Sequence, residues 1–264
     1  MAGRGLTRRV VGAAIVLLWA GGLIALWQRH TDVPFAERLA QGAMQLAPAT
    51  YFYTVTQSGT PVGIASSAID TIAGGFRENG WVRGRTIIYG DSQTVEASER
   101  AFLSRRLGVD SFSFALGGDQ GPLTIRGAPR DSVPVFLPTL APIALMLSGA
   151  HAVGRSQDFW LYSPLSQQVE RVTLQIAAES LFHVTDSAAF DPARNTWIPA
   201  HTDTVRAWSV TTPAHAFTAW VDWQGRLVQG SEPGGLTLTR TAYEIAALDA
   251  PRPVVRPPRR LPSR

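Results

Sequence analysis

From Tyr51 onward, apolar residues recur at every second position in short runs, and glycine, proline or aspartate breaks the runs at intervals of about ten to twelve residues. Side chains of a strand alternate between two faces, so this period suits half-buried strands and argues against a helical bundle. Tyr51–Thr56 is aromatic and β-branched, as strands prefer. Gln57-Ser58-Gly59-Thr60-Pro61 is turn chemistry, and Val62–Ile72 continues as a second strand, making a hairpin. Gly74-Gly75 closes it. Trp81–Tyr89, Thr94–Leu103, Phe112–Leu116 and Leu123–Arg126 read as further strands, the last two flanking a turn at Gly117-Gly118-Asp119. The pattern resumes at Phe159–Tyr162, Val169–Ile176, Glu179–Val184 and Thr204–Thr211. Ala216–Trp223, the Gln224-Gly225 turn and Arg226–Gly230 form the clearest hairpin. Gly234-Gly235 then leads into a last strand, Leu236–Ile245.

One stretch departs from this period. Leu137–Gly149 is apolar almost all round and reads as a short buried helix. Thr139 is placed to cap it, Pro142 is tolerated in its first turn, and Gly149 stops it. The expected fold is therefore mainly β: a curved antiparallel sheet in two halves joined by that helix.

Ahead of the body lies Val10–Trp27, 18 residues without a charge, preceded by Arg4, Arg8 and Arg9. At about 1.5 Å per residue such a helix matches the hydrocarbon thickness of a bilayer. The run exceeds the roughly 7–15 residues of a signal-peptide core, and Trp27-Gln28-Arg29-His30 follows it instead of a small-x-small cleavage site. The reading is an uncleaved signal anchor over a cleaved signal peptide. Arginines on its N-terminal side keep that end in the cytoplasm and send the rest outward. The expected location is a bacterial cytoplasmic (inner) membrane, with a single pass and the main domain extracytoplasmic. Residues 1–30 form the basic end and anchor, and 31–48 form a connector containing an amphipathic helix over Pro34–Leu46. Residues 49–250 form the β-rich domain, and 251–264 a disordered tail with five prolines and five arginines.

Charge narrows the function. The whole chain carries a net +4, but 45–250 holds 14 arginines against 18 acids, a net of −4. The basic excess sits at the two ends, which excludes a nucleic-acid-binding body. The absence of lysine is read as codon bias. With no cysteine, disulfides, thiolate metal sites and a cysteine nucleophile are excluded.

No catalytic motif stands out. His151, His183, His201 and His215 are scattered, without an HExxH pattern. His201 and Asp203 would share a strand face, so an acid–base pair or a metal site is a candidate there. Asp70, Asp222 and Glu244 would act only if folding joined them. Ser66, Ser67, Ser163 and Ser231 sit in no GxSxG elbow. The glycine pairs read as turns. Trp81, Trp160, Trp197, Trp208, Trp220 and Trp223 either fill a core or line an apolar groove, with core packing favoured. In Ala216–Trp223, Phe217, Ala219, Val221 and Trp223 share one face and Trp220 the other, so both faces of that strand should be covered.

The order of these segments carries a resemblance. An apolar helix ending at Ser148-Gly149 comes first, followed by Phe159-Trp160-Leu161-Tyr162-Ser163-Pro164 and the alternating Val169–Ile176. Trp220-Val221-Asp222-Trp223-Gln224-Gly225-Arg226-Leu227-Val228, Pro233-Gly234-Gly235 and Arg240–Ile245 complete the order. With Thr54–Gly63 at the front, this resembles the β-rich half-barrel domain that precedes the catalytic domain of some bacterial transglutaminase-like proteins. More distantly it is similar to the curved sheets of periplasmic lipoprotein carriers. The resemblance covers Tyr51–Ile245 and implies a fold alone, because the family's enzymes need a Cys-His-Asp set and this chain has no cysteine.

The sequence reading is thus a non-enzymatic, membrane-anchored envelope module without cofactor or metal. It would bind an apolar or lipid ligand, or assist a separately encoded transglutaminase-like enzyme or transporter. The alternatives are an envelope hydrolase using His201, Asp203 and sheet carboxylates, and a purely structural interaction domain with an exposed apolar patch.

Overall fold

The computed structural model describes residue 19 and residues 34–249, apart from 89–90, 119–121, 130–132, 150, 165, 213–216 and 233. The Val10–Trp27 span, except Trp19, and the 251–264 tail lie outside the described residues. Among the described residues no helix is long and apolar enough to cross a membrane.

The strands follow the period-two pattern closely. A first meander runs through β1 (Ala49–Gln57), β2 (Thr60–Ile72), β3 (Gly75–Ile88), β4 (Asp91–Ser104), β5 (Val109–Gly118) and β6 (Leu123–Gly127). A second contains β7 (Val135–Phe136), β8 (Ser156–Ser163), β9 (Gln168–Asp191), β10 (Thr196–Thr212), β11 (Phe217–Asp222), β12 (Leu227–Ser231) and β13 (Leu236–Thr241). The two halves are not merely neighbours. Antiparallel pairing of β1 with β13 joins them into one 13-stranded sheet, in the order β6-β5-β4-β3-β2-β1-β13-β12-β11-β10-β9-β8-β7. The β7–β8 pair is parallel and every other neighbouring pair is antiparallel. The sheet is open, and its edge strands are short, five residues in β6 and two in β7, which limits the unpaired backbone they present.

Three helices among the described residues accompany the sheet: α1 (Phe35–Ala43), α2 (Ala141–Leu147) and α3 (Tyr243–Asp249). All seven residues of α2 are buried, as its uniformly apolar sequence requires. It packs in the main core with Phe159, Leu174, Ile176, Val210 and Leu103. Each large apolar side chain buried there contributes about 1.5–3 kcal/mol. The expected Thr139 cap is not made: Leu140 occupies the N-cap without a side-chain bond, and Pro142 falls in the first turn. Gly149 takes a positive φ of 77°, ending the helix as expected. His151 adds a bond between its Nε2 and the Met146 carbonyl at 3.0 Å, while its ring stacks on Trp208.

The connector helix is part of the core. Leu39 and Ala43 of α1 are fully buried, and Phe35 meets Phe159 edge-on at 5.5 Å. Gly42 lets α1 approach α2, because a Cβ there would lie 1.9 Å from the Leu147 carbonyl oxygen. Gly42→Ala is expected to lower stability by about 2 kcal/mol through overpacking. A thermal melt checks this, and an unchanged midpoint would mean that this contact is not tight.

Two expectations about strands are also corrected. Val169–Ile176 and Glu179–Val184 belong to a single 24-residue strand, β9. Against β10, Ile176 pairs with Val210 and Ala178 with Ser209, so Ala177 is an extra residue. That bulge resets the alternation and makes one strand read as two. The final strand stops at Thr241 instead of Ile245, and α3 follows. Ala242 and Ala246, both buried and linked by a backbone bond of 3.0 Å, have helical and not strand spacing.

Beyond β8 and β11, β9 and β10 pair only with each other among the described residues, forming a two-stranded ribbon. Phe182 and Val205 of the ribbon pack with Val184, Ala207, Val228 and Trp220. Both faces of β11 are therefore covered: Ala219 and Val221 lie in the main core, and Trp220 lies against Phe182.

Candidate functional site

Alternate side chains of β1–β5 face the interior, but their size is uneven. At one end Phe76, Leu103 and Phe112 pack into the core with α2. Toward the other end the same faces of β2, β3 and β4 carry Ala65, Ser67, Gly80 and Ala97. These side chains are too short to reach the opposite wall. A groove of about 290 Å³ results, with Leu140 and Ile143 of the α2 segment along one side and the 224–227 turn along another. Tyr51, Tyr53 and Phe114 supply aromatic wall, and Leu46, Ile69 and Leu238 aliphatic wall. The α2 helix thus fills part of the concave face and leaves the rest open.

Two carboxyl groups enter this apolar space, Glu78 from β3 and Glu99 from β4. In the β3–β4 register Gly80 lies opposite Glu99 and Ala101 opposite Glu78, so the two acids are diagonal neighbours on one face. Glu78 is only 4% exposed. Burial, reinforced by the negative charge of Glu99, pushes its carboxyl up to about 9. Burial alone pushes Glu99 up to about 7. Glu78 Oε2 and Glu99 Oε1 are buried and have no hydrogen-bond partner among the described residues. Burial also raises the Tyr53 phenol, which therefore stays protonated.

The turn at the groove's side is held by Asp222, whose side chain is fully buried. Its Oδ1 accepts from the Gln224 and Arg226 amides at 2.9 Å each, and its Oδ2 accepts from Arg226 Nε at 2.5 Å. Asp222 therefore shapes the turn and neutralises the arginine in the groove wall.

Most of the candidates singled out from the sequence lie elsewhere. His201 Nε2 and Asp203 Oδ1 are 2.8 Å apart, so the expected pairing forms, but both side chains are exposed on the ribbon and neither lines the groove. His183 meets Thr204 across the ribbon, and His215 lies outside the described residues. Asp70 pairs with Arg77 at 2.8 Å, and Glu244 sits in α3, so folding leaves the three sheet and helix acids with separate surroundings. Ser66 and Ser67 border the groove; Ser163 and Ser231 do not. Of the tryptophans, Trp81 borders the groove and Trp208 belongs to the core, while Trp160, Trp197 and Trp223 are substantially exposed. Among the described residues there is no group of three or more His, Cys, Asp or Glu able to hold a metal ion.

Residue type alone does not single out Glu78 and Glu99 in the sequence, although a signal for them exists. In Phe76-x-Glu78-x-Gly80-x-Val82 and Ala97-x-Glu99-x-Ala101-x-Leu103, the acids occupy the apolar phase of an alternating strand. Arg77, Arg83 and Arg100 occupy the opposite phase. A carboxyl in the buried phase is the anomaly to look for.

Fold and site together define an open, curved antiparallel β domain of half-barrel type with an internal groove. No family model and no curated protein matches the chain. Among solved structures, it is similar to a beta-barrel-like protein of domain of unknown function DUF1849 from Brucella abortus. That likeness has 12% identity, 75% of this chain and 97% of that one covered, and a TM-score of 0.49. It is also similar to a DUF1089 family protein from Pseudomonas aeruginosa, at 10% identity, 65% and 90% coverage and a TM-score of 0.38.

Proposed function

We propose that this chain is a non-catalytic binding module that holds an apolar ligand in the groove between β1–β5 and α2. The single observation that carries the reading is the groove itself: aromatic and aliphatic walls over a floor of Ala65, Ser67, Gly80 and Ala97. Ligand sites are concave and mostly apolar, with a few placed polar groups. What supports binding over hydrolysis is that the His201–Asp203 pair does not line this space. The apolar run Val10–Trp27 supports a tether at the bacterial cytoplasmic membrane, with the β domain outside. There the module would present its ligand to a separately encoded envelope enzyme or transporter.

The test uses the full chain in lipid nanodiscs, with protein-free discs as blank and N-phenyl-1-naphthylamine as a fluorescent apolar probe. Ala97→Phe fills the groove from its floor and is expected to weaken probe binding about tenfold or more, the loss of roughly 1.4 kcal/mol or more. Ser67→Leu does the same from β2 and covers the case in which the first variant folds poorly. A wild-type chain that binds no more probe than the blank, or variants that bind as well as wild type, would overturn the reading.

A further inference from the structure

We propose that Glu78 and Glu99 form the receiving end of the groove for a protonated amine, so that the ligand is an amphiphile with an ammonium head and an apolar tail. This rests on the groove being a ligand site. Four observations meet here.

Glu78 is almost completely buried, lines the groove, and leaves Oε2 without a hydrogen-bond partner among the described residues. Glu99, beside it on the next strand, leaves Oε1 in the same condition. Natural interiors rarely leave two such groups unanswered, and each unmet oxygen destabilises the fold.

Gly80 keeps the space between the acids clear. It stands opposite Glu99 in the β3–β4 register and next but one to Glu78 in β3. A Cβ there would come 3.0 Å from Glu78 Oε1. No side chain therefore separates the two carboxyls, and a small head group can reach both.

The groove's own walls do not supply the missing charge. Arg226 is the cation in the lining, and Asp222 already holds it. The other titratable groups facing the space are the phenols of Tyr51 and Tyr53 on β1. An ionised carboxylate only accepts hydrogen bonds, whereas an ammonium offers three donors and a full positive charge.

A metal ion fits less well, because no third acidic or histidine ligand joins the pair among the described residues. The rest of the lining is mostly apolar. The 290 Å³ groove sits near the small end of ligand-pocket volumes, which suits a short single-chain amphiphile such as an eight-carbon primary amine.

Binding then carries a proton signature. Near neutrality the free protein holds Glu78 largely protonated and Glu99 about half protonated; the cation favours their ionised forms, so protons leave as the amine enters. Affinity for the amine must rise with pH until the carboxyls are ionised. An alkylamine, like a lysine, keeps its proton to about pH 10.4, so the ligand's charge is constant across this range.

The experiment displaces N-phenyl-1-naphthylamine from the full chain in nanodiscs with octylammonium, octanol and octanoate, against protein-free discs. At about pH 8 octylammonium is expected to compete roughly tenfold better than octanol, with the advantage shrinking to about threefold or less at about pH 6. In Glu78→Gln/Glu99→Gln the advantage should vanish at both pH values while octanol competes within about twofold of wild type. Glu99→Gln alone should reduce the preference and serves if the double variant folds poorly. Equal or better competition by octanol or octanoate in wild type overturns the ammonium assignment and leaves the apolar groove standing, as does a preference that survives in the variants. Failure of all three compounds to compete overturns the groove reading as well.

Discussion

Asp186→Ala is expected to destabilise the domain by about 3 kcal/mol, the cost of leaving a buried charge without its partner. The Arg240 side chain is only 2% exposed, and its guanidinium lies 4.2 Å above the Tyr51 ring. Its Nε donates to Asp186 Oδ1 at 2.8 Å, and its Nη2 donates to Oδ2. Asp186 lies on the β9–β10 ribbon, 54 residues away in sequence, so this pair pins the ribbon against β13 and β1. Asp186 is half exposed and partly screened by solvent, which places the cost at the lower end of the range for buried pairs. For a domain of about 200 residues the loss corresponds to a fall in thermal midpoint of roughly 6–12 °C. Arg240→Met removes the charge but keeps apolar bulk, and in that background Asp186→Ala should cost about 0.5 kcal/mol or less. Thermal melts of the two single variants and the double variant give the coupling directly. Equal effects of Asp186→Ala in both backgrounds would show that the pair does not hold the ribbon.

The second large effect is a loss of stability with rising pH. Burial raises Glu78 to about 9 and Glu99 to about 7 in the fold, against 4.5 for an ordinary glutamate. When the folded value is raised, protonation favours the folded state. The contribution is complete below the unfolded value and is lost as pH rises toward the folded one. Both acids therefore weaken the fold between about pH 4.5 and 7, and Glu78 alone continues to do so up to about pH 9. Each mismatched carboxyl lowers stability throughout its window. We expect a net fall of about 2 kcal/mol or more between about pH 5 and pH 8, seen as a drop of roughly 4–8 °C in thermal midpoint. Glu78→Gln/Glu99→Gln keeps the shape, cannot ionise, and should flatten that dependence. A double variant whose midpoint falls as steeply as wild type would place the pH sensitivity elsewhere. Octylammonium, if it binds as proposed, should restore stability preferentially at the alkaline end.

Much of the fold was legible because strand periodicity is local. Tyr51–Thr56 with Val62–Ile72, and Ala216–Trp223 with Arg226–Gly230, announce their pairing through alternation and turn chemistry within a few residues. The buried helix was legible for the same reason, since apolar residues on every side leave it nowhere to go but the core. The sequence misleads where local rules change phase. Ala177 shifts the alternation by one residue inside β9, and Ala242 begins a helical spacing directly after a strand. The site was harder to read. His201 and Asp203 attracted notice because their residue types suggest chemistry, and they do pair, but on an exposed ribbon. Glu78 and Glu99 resemble ordinary surface acids until their strand phase is known.

The sequence by itself determined the strand content, the fully buried α2, the exclusion of thiol chemistry, and the apolar run Val10–Trp27 that opens the chain. These depend on composition and on neighbours a few positions apart. Only the tertiary structure decided that β1 and β13 close the two meanders into one sheet, that α1 packs into the core, and that Asp186 meets Arg240. It also decided that Gly80 stands opposite Glu99, so that small residues open a groove around two buried acids. Such facts depend on register between strands and on contacts between distant segments. Alternation says which side chains share a face; register and the helix laid over that face say which of them meet, and what space is left between them.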